Sequence, residues 1–201
     1  QQVYAGRGVI GNDLYDPFGE VYNKDLPQRE QDTAKALQLL NDAGVADQEF
    51  EFTAANLGPG TLEYATVFAQ QAQAAGVNVK VTQVDPSVYV GPDFLNWKLA
   101  NSQWPAIVYL QQVAYADGPE AAYNETGFGD TDPEFADLYK KAIVTIDAEE
   151  RKKICMDMQQ IQWERGGYIV WGFPNTLDAA SKKTTGWTTH ANGQPFGSLN
   201  F

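Results

Sequence analysis

The residues near the start of the sequence that could do chemistry are three glycines, Gly6, Gly8 and Gly11, in the spacing G-x-G-x-x-G. This spacing can cradle a dinucleotide pyrophosphate, but only when a strand precedes it and a helix begins at its last glycine. The preceding segment, QQVYA, is short, and the following segment, NDLYDPFG, favours turns. The pattern therefore indicates an ordered loop rather than a nucleotide site.

Residues that bind metals or act as nucleophiles are scarce. One histidine, His190, and one cysteine, Cys155, cannot supply the ligands of a zinc site. The segment DTDPE at 130–134 is similar to the start of a calcium loop, but Pro133 and the absent distal glutamate favour a helix N-cap at Asp132.

No G-x-S-x-G elbow is present. His190 lies in the Thr- and Gly-rich segment TTHANG, where we expect a surface residue. The apolar neighbours Ile154, Met158 and Ile161 predict that Cys155 is a buried thiol rather than a nucleophile. We expect no cofactor, no metal and no enzymatic activity.

The acidic balance of the chain limits its partners. Asp and Glu total 26 against 14 Lys and Arg, which gives a net charge of −12. This charge argues against binding of nucleic acid and against docking on an anionic membrane, since no basic stripe is available. Two alternatives remain open. One is a hydrolase with a carboxylate pair, because pairing depends on the fold. The other is a protein-interaction module that uses the acidic face.

Polar and aromatic side chains follow two apolar runs that we interpret as strands. AIVYLQQV at 106–113 and YIVWGF at 168–173 are typical of strands covered on both faces. Ligands of α/β sheets bind at the carboxyl ends of the strands, and aromatic rings with amides suit a polar small molecule. The alternative is that these residues only finish their strands. The candidate ligand-binding residues are Gln111, Gln112, Tyr115, Asp117, Trp171 and Asn175, with Asn12 and Asp13 from the glycine-containing loop as further candidates.

Periodicity and capping predict the elements that must position these residues. We predict helices at 32–44, 61–76, 94–100, 132–146 and 147–165, and strands at 49–54 and 77–84 in addition to the two apolar runs. Strand, helix and strand between 49 and 84 predict a βαβ unit with parallel strands. With no linker or repeat, the sequence predicts one α/β domain.

The ordered series GNDLYDPF, LPQREQDTAKALQLLNDAG, AQQAQAAGVNVKV, DPEFADLYKKA, DAEERKKICMDMQQIQ and YIVWGFPNTLDA resembles the family 5 extracellular solute-binding proteins. These proteins serve ABC importers for peptides, nickel chelates and some sugars, and the likeness covers essentially the whole chain. It implies an α/β lobe of the periplasmic-binding-protein type, with a mostly parallel central sheet flanked by helices. It further implies that residues 1–201 are the second lobe of a two-lobe protein, with 1–15 and 174–201 near the hinge.

The resemblance implies a non-enzymatic role as the substrate-binding component of an ABC importer. A peptide or another small polar solute would be captured between this lobe and an N-terminal lobe by hinge closure and passed to an ABC permease. The location implied is the periplasmic or extracellular face of the membrane. In the family, the secretion signal and a frequent lipid-bearing cysteine belong to the N-terminal part.

One departure from the family pattern concerns the ligand. Peptide-binding members often carry W-x-x-D-x-x-D-P, in which the first Asp holds the peptide amino terminus. With Pro119 on the family proline, Gln112 takes the place of the Trp, Tyr115 that of the first Asp and Gly118 that of the second. Asp117 lies two residues later than the salt-bridging carboxylate. This departure leaves room for a sugar or another polar solute, for which an amide and a phenol are natural partners.

Overall fold

The computed structural model describes residues 2–175, 177, 179, 181–183 and 185. The chain divides into two compact units, Gln1–Gly6 with Gln28–Trp104 and Arg7–Pro27 with Pro105–Phe201. The organisation of all 201 residues as one lobe stays a prediction. The surface position expected for His190 lies outside the described residues.

The described residues form eleven helices and strands. In chain order they are β1 (Gly8–Ile10), α1 (Thr33–Asp42), β2 (Phe50–Ala54), α2 (Thr61–Ala74), β3 (Val79–Gln83), α3 (Pro86–Tyr89), α4 (Tyr109–Ala116), α5 (Phe128–Thr131), α6 (Pro133–Val144), α7 (Ala148–Arg165) and β4 (Gly172–Pro174). The α/β class is confirmed. In the described part, the strands form two two-stranded sheets, β2 with β3 and β1 with β4. No helix there is long and apolar enough to cross a membrane.

The predicted βαβ unit is confirmed in the first compact unit. β2 and β3 are parallel, with Phe50 opposite Val79, and α2 connects them. Phe52 in β2 and Ala65 in α2 are buried against each other in the core of this unit. Alternating apolar residues therefore identified the strands correctly, because one face of each strand packs on the helix.

Three of the predicted helices begin at aspartates that cap them. The side chains of Asp32, Asp132 and Asp147 each accept a hydrogen bond from the backbone N–H three residues later, at 2.8, 2.9 and 2.8 Å. A carboxylate there satisfies an N–H that has no partner inside the helix and complements the positive end of the helix dipole. These caps confirm the predicted starts of α1, α6 and α7.

The second compact unit is built around α6 and α7. Ile154, Met158 and Ile161 form the buried face of α7 and pack on Phe135 of α6. Cys155 is buried beside them as predicted, and its burial raises the pKa of its thiol to about 11. The predicted continuation of the α6 face to Ile146 is wrong, because the helix ends at Val144 and Ile146 is exposed.

The strand predicted at 106–113 is wrong, because Tyr109–Ala116 form helix α4. Tyr109, Val113 and Ala116 are its buried hydrophobic residues, and their spacings of four and three are those of one helical face. A short apolar run cannot be assigned to a strand or a helix by its hydrophobicity alone.

The buried strand predicted at 168–173 is largely wrong. Only Gly172–Pro174 form a strand, β4, which pairs antiparallel with β1 so that Gly8 lies opposite Pro174. Ile169 is exposed rather than covered. The apolar composition of this run is typical of a core strand. In the described part of the chain, however, β4 pairs with one neighbour, β1.

The short helix predicted at 94–100 is wrong. Residues 94–100 contain a turn and a bend but no helix, and Leu95 has a φ of 72°, which no right-handed helix accommodates. Ala100 instead forms a parallel bridge with Thr53 of β2.

Candidate functional site

The helix that carries three of the candidate residues, with a fourth directly after it, begins at a cap supplied from a distant part of the chain. Val108, the residue before α4, has no side chain that can cap it. The carboxylate of Asp16, 93 residues earlier, accepts a hydrogen bond from the backbone N–H of Tyr109 at 3.2 Å. Partial burial raises the pKa of Asp16, and this hydrogen bond opposes the rise. The segment around Asp16 therefore fixes where α4 starts.

Gln112 is the candidate residue whose hydrogen bonding is incomplete. Its side chain is 2% exposed, and its Nε2 has no hydrogen-bond partner among the described residues. Gln111, next to it, is exposed, and Tyr115 is 43% exposed. A buried amide donor without an acceptor is costly, so this atom is the clearest sign of a missing partner on α4.

Asp117 follows the last residue of α4 and is buried, with 2% exposure. Its Oδ2 accepts hydrogen bonds from the hydroxyl of Tyr15 and from Nε2 of Gln162, the latter at 2.6 Å. The hydroxyl of Thr126 lies 3.5 Å from Oδ1. Gln162 in turn accepts a bond from the hydroxyl of Tyr109 at 2.6 Å. Asp117 is thus the centre of a buried polar network.

The electrostatics of this network are dominated by burial. Loss of solvation raises the pKa of Asp117 from 3.8 to about 6. The hydrogen bonds from Tyr15, Gln162 and Thr126 act in the opposite direction, and the negative charge of Glu125 adds to the rise. Burial, followed by the charge of Asp117, raises the pKa of Tyr15 well above its usual value. Tyr15 therefore remains a neutral donor to Asp117.

The other four candidates gather at the β1–β4 pair. The backbone N–H groups of Gly11 and Asp13 donate to the carbonyls of Trp171 and Val170 at 3.0 and 3.2 Å, and that of Asn175 donates to Arg7 at 3.1 Å. The Nδ2 of Asn12, which is buried, donates to the carbonyl of Pro27 at 3.0 Å, and its Oδ1 accepts from Nε1 of Trp163 at 3.3 Å. Asn175 is exposed, and Trp171 is half-buried.

Tyr15 connects the two groups of candidates. Its hydroxyl bonds to Asp117 after α4, and its ring packs edge-on against Tyr168, with ring centroids 5.8 Å apart. Tyr168 lies three residues before Trp171 and donates its hydroxyl to Glu125 at 2.9 Å. The candidate residues therefore belong to one continuous region of the second compact unit, although the predicted crevice at strand ends is replaced by a helix and a strand pair.

The glycine pattern of the sequence has a packing role. Gly8 lies in β1, and no helix begins between residues 11 and 32. A Cβ on Gly11 would overlap the carbonyl oxygen of Val170, so a glycine is needed for the close approach of the two chains. The described residues also contain no group of three or more His, Cys, Asp or Glu side chains that could hold a metal ion.

The family of this chain follows from comparison with known protein families. Residues 1–132 match the family of bacterial extracellular solute-binding proteins, family 5 Middle. The chain belongs to the family 5 solute-binding proteins. No curated protein matches this family 5 chain.

Solved structures share the fold of the family 5 chain. DppA from Helicobacter pylori, an ABC transporter-associated periplasmic binding protein in complex with the peptide STSA, has a TM-score of 0.70 at 20% identity, over 85% of this chain and 34% of that protein. The oligopeptide-binding protein AppA from Bacillus subtilis, in complex with a nonapeptide, has a TM-score of 0.71 at 18% identity, and the match covers 95% of this chain and 42% of AppA. NikZ from Campylobacter jejuni, in complex with Ni(L-His), has a TM-score of 0.68 at 20% identity, and the match covers 84% of this chain and 37% of NikZ. The chain thus spans 34–42% of the length of these three proteins.

Three residues that hold the candidate site in place, Tyr15, Gln159 and Gln162, were not among the residues predicted from the sequence. The positions of the two glutamines on α7 could have revealed them. Gln159 and Gln162 lie on the apolar face of α7, where polar residues are unexpected, and both are buried. Gln159 accepts a bond from the backbone N–H of Asn23 at 2.9 Å and donates to the carbonyl of Val21 at 2.8 Å. Buried glutamines on a core face indicate long-range partners. Nothing local, however, marks Tyr15 as the partner of Asp117.

Proposed function

We propose that this chain forms part of the substrate-binding receptor of an ABC importer and supplies one wall of its ligand site. The receptor captures a peptide or another small polar solute and presents it to a membrane permease at the periplasmic or extracellular face. Membership of family 5 and the fold shared with transporter-associated proteins such as DppA support the proposal. In this role the chain binds its substrate and does not transform it.

The Nε2 of Gln112 on α4 has no hydrogen-bond partner among the described residues, and this observation supports Gln112 as a ligand contact. A ligand acceptor at this atom would complete its hydrogen bonding, and the exposed ring of Tyr115 beside it offers a stacking surface. Asn12, Asp13, Trp171 and Asn175 would contribute from the β1–β4 pair, whereas the exposed Gln111 makes no contact in this proposal.

Closure of two lobes would complete the site. The chain spans only 34–42% of the three related structures, so the remaining length of such a receptor provides the second lobe. β1 pairs antiparallel with β4, so Gly8–Ile10 lie beside Gly172–Pro174. A hinge near residues 1–15 and 174–201 would be compatible with this pairing. An isolated lobe would bind weakly, because closure supplies much of the burial that offsets the lost freedom of the ligand.

The two alternatives from the sequence gain no support from the described residues. Asp117 and Glu125 interact electrostatically, as a hydrolytic carboxylate pair would. Asp117 is, however, held by Tyr15 and Gln162, and Glu125 by Tyr168, so neither is poised as a free acid or base. An acidic interaction surface likewise rests on net charge alone.

Native mass spectrometry of the full-length protein, purified without ligand stripping, tests the proposal. We expect small polar compounds to be retained by the wild type and by a Gln111→Leu variant. Gln112→Leu, one residue further along the same helix, should retain much less. A wild-type protein that retains nothing, and binds neither peptides nor oligosaccharides on titration, would contradict the proposal.

A further inference from the structure

We draw no further inference here: the strongest candidate, the exposed apolar surface patch of Ile143, Val144 and Ile146 at the end of α6 and in its connection to α7, carries none because nothing in the described structure shows what covers it.

Discussion

Tyr15 donates its hydroxyl hydrogen bond to the carboxylate of Asp117, 102 residues later in the chain. Both residues are buried, and the bond ties the segment after β1 to the end of α4. Because Asp16 also caps the start of α4, two consecutive residues of this segment fix both ends of the helix that carries Gln112. The position of the candidate site therefore depends on the packing of the Arg7–Pro27 segment.

The pH dependence of stability should report on Asp117. Its pKa is raised from 3.8 to about 6, so folding favours the protonated form. The stabilising contribution of that form is complete below about pH 4 and is lost as the pH rises through about 6. Asp117→Asn cannot ionise and should exceed the wild type in free energy of unfolding by about 1–3 kcal/mol at pH 8. Chemical denaturation of the full-length protein between pH 4 and 8 measures this difference.

Asp130→Asn is the control for this experiment, because Asp130 is an exposed aspartate of the same unit. Its stability relative to the wild type should change little between pH 6 and 8. A difference between Asp117→Asn and the wild type that stays constant from pH 4 to 8 would show that Asp117 does not titrate in this range.

Gln159 should be required for stability although it is a polar residue in the core. Gln159→Leu removes the partners of the Asn23 N–H and the Val21 carbonyl and leaves these backbone groups without their bonds. We expect a loss of about 2–4 kcal/mol in the free energy of unfolding. Gln160→Leu, whose side chain bonds only to the exposed Glu164 among the contacts described, should change it by less than about 0.5 kcal/mol. Equal effects of the two substitutions would show that the hydrogen bonds of Gln159 to Asn23 and Val21 do not stabilise the fold.

Gln112 should reduce the stability of the ligand-free protein. Replacing it with Leu removes a buried donor that has no partner in the described structure. We therefore expect Gln112→Leu to raise the free energy of unfolding of the stripped protein by about 1 kcal/mol, even though it weakens binding. Gln111→Leu, at an exposed position, should be nearly neutral. A destabilised Gln112→Leu would mean that the amide already has a partner in the folded chain.

Gly11 should tolerate no side chain. A Cβ there would overlap the carbonyl oxygen of Val170 and force apart the segments next to the β1–β4 pair. Gly11→Ala should lower the free energy of unfolding by more than about 2 kcal/mol. Gly44→Ala is a useful comparison, because Gly44 has a φ of 72° but open space around it, so only the strain of about 1 kcal/mol applies. Thermal melts of both variants test whether Gly11→Ala is more destabilising than Gly44→Ala. A smaller loss of stability in Gly11→Ala would contradict the prediction.

Cys155 should be unreactive while the protein is folded. The thiol is buried and its pKa is raised to about 11, so very little thiolate is present at neutral pH. Peptide mapping after maleimide treatment should find Cys155 unmodified in buffer and fully modified in guanidinium. Rapid modification under native conditions would show that the α7 core opens readily.

Local signals predicted the helices that carry their own caps. Asp32, Asp132 and Asp147 each lie next to the helix they cap, so a short stretch of sequence contains both the start signal and the apolar face. The βαβ unit was equally accessible, because its strands and helix are consecutive and its register follows from alternation. The ordered series of motifs was sufficient to identify the family.

The tertiary structure decided where the candidate residues lie and what they bond to. α4 was mistaken for a strand because its cap, Asp16, is 93 residues away and no local residue marks its start. The partners of Asp117 are also far from it in the chain. The sequence predicted Asp117 as a ligand contact, whereas in the fold it bonds to Tyr15 and Gln162. Sequence determines the residue types and the local periods. Hydrogen bonds between segments far apart in the chain exist only once the core has brought those segments together, and they decide which polar side chain remains for a ligand.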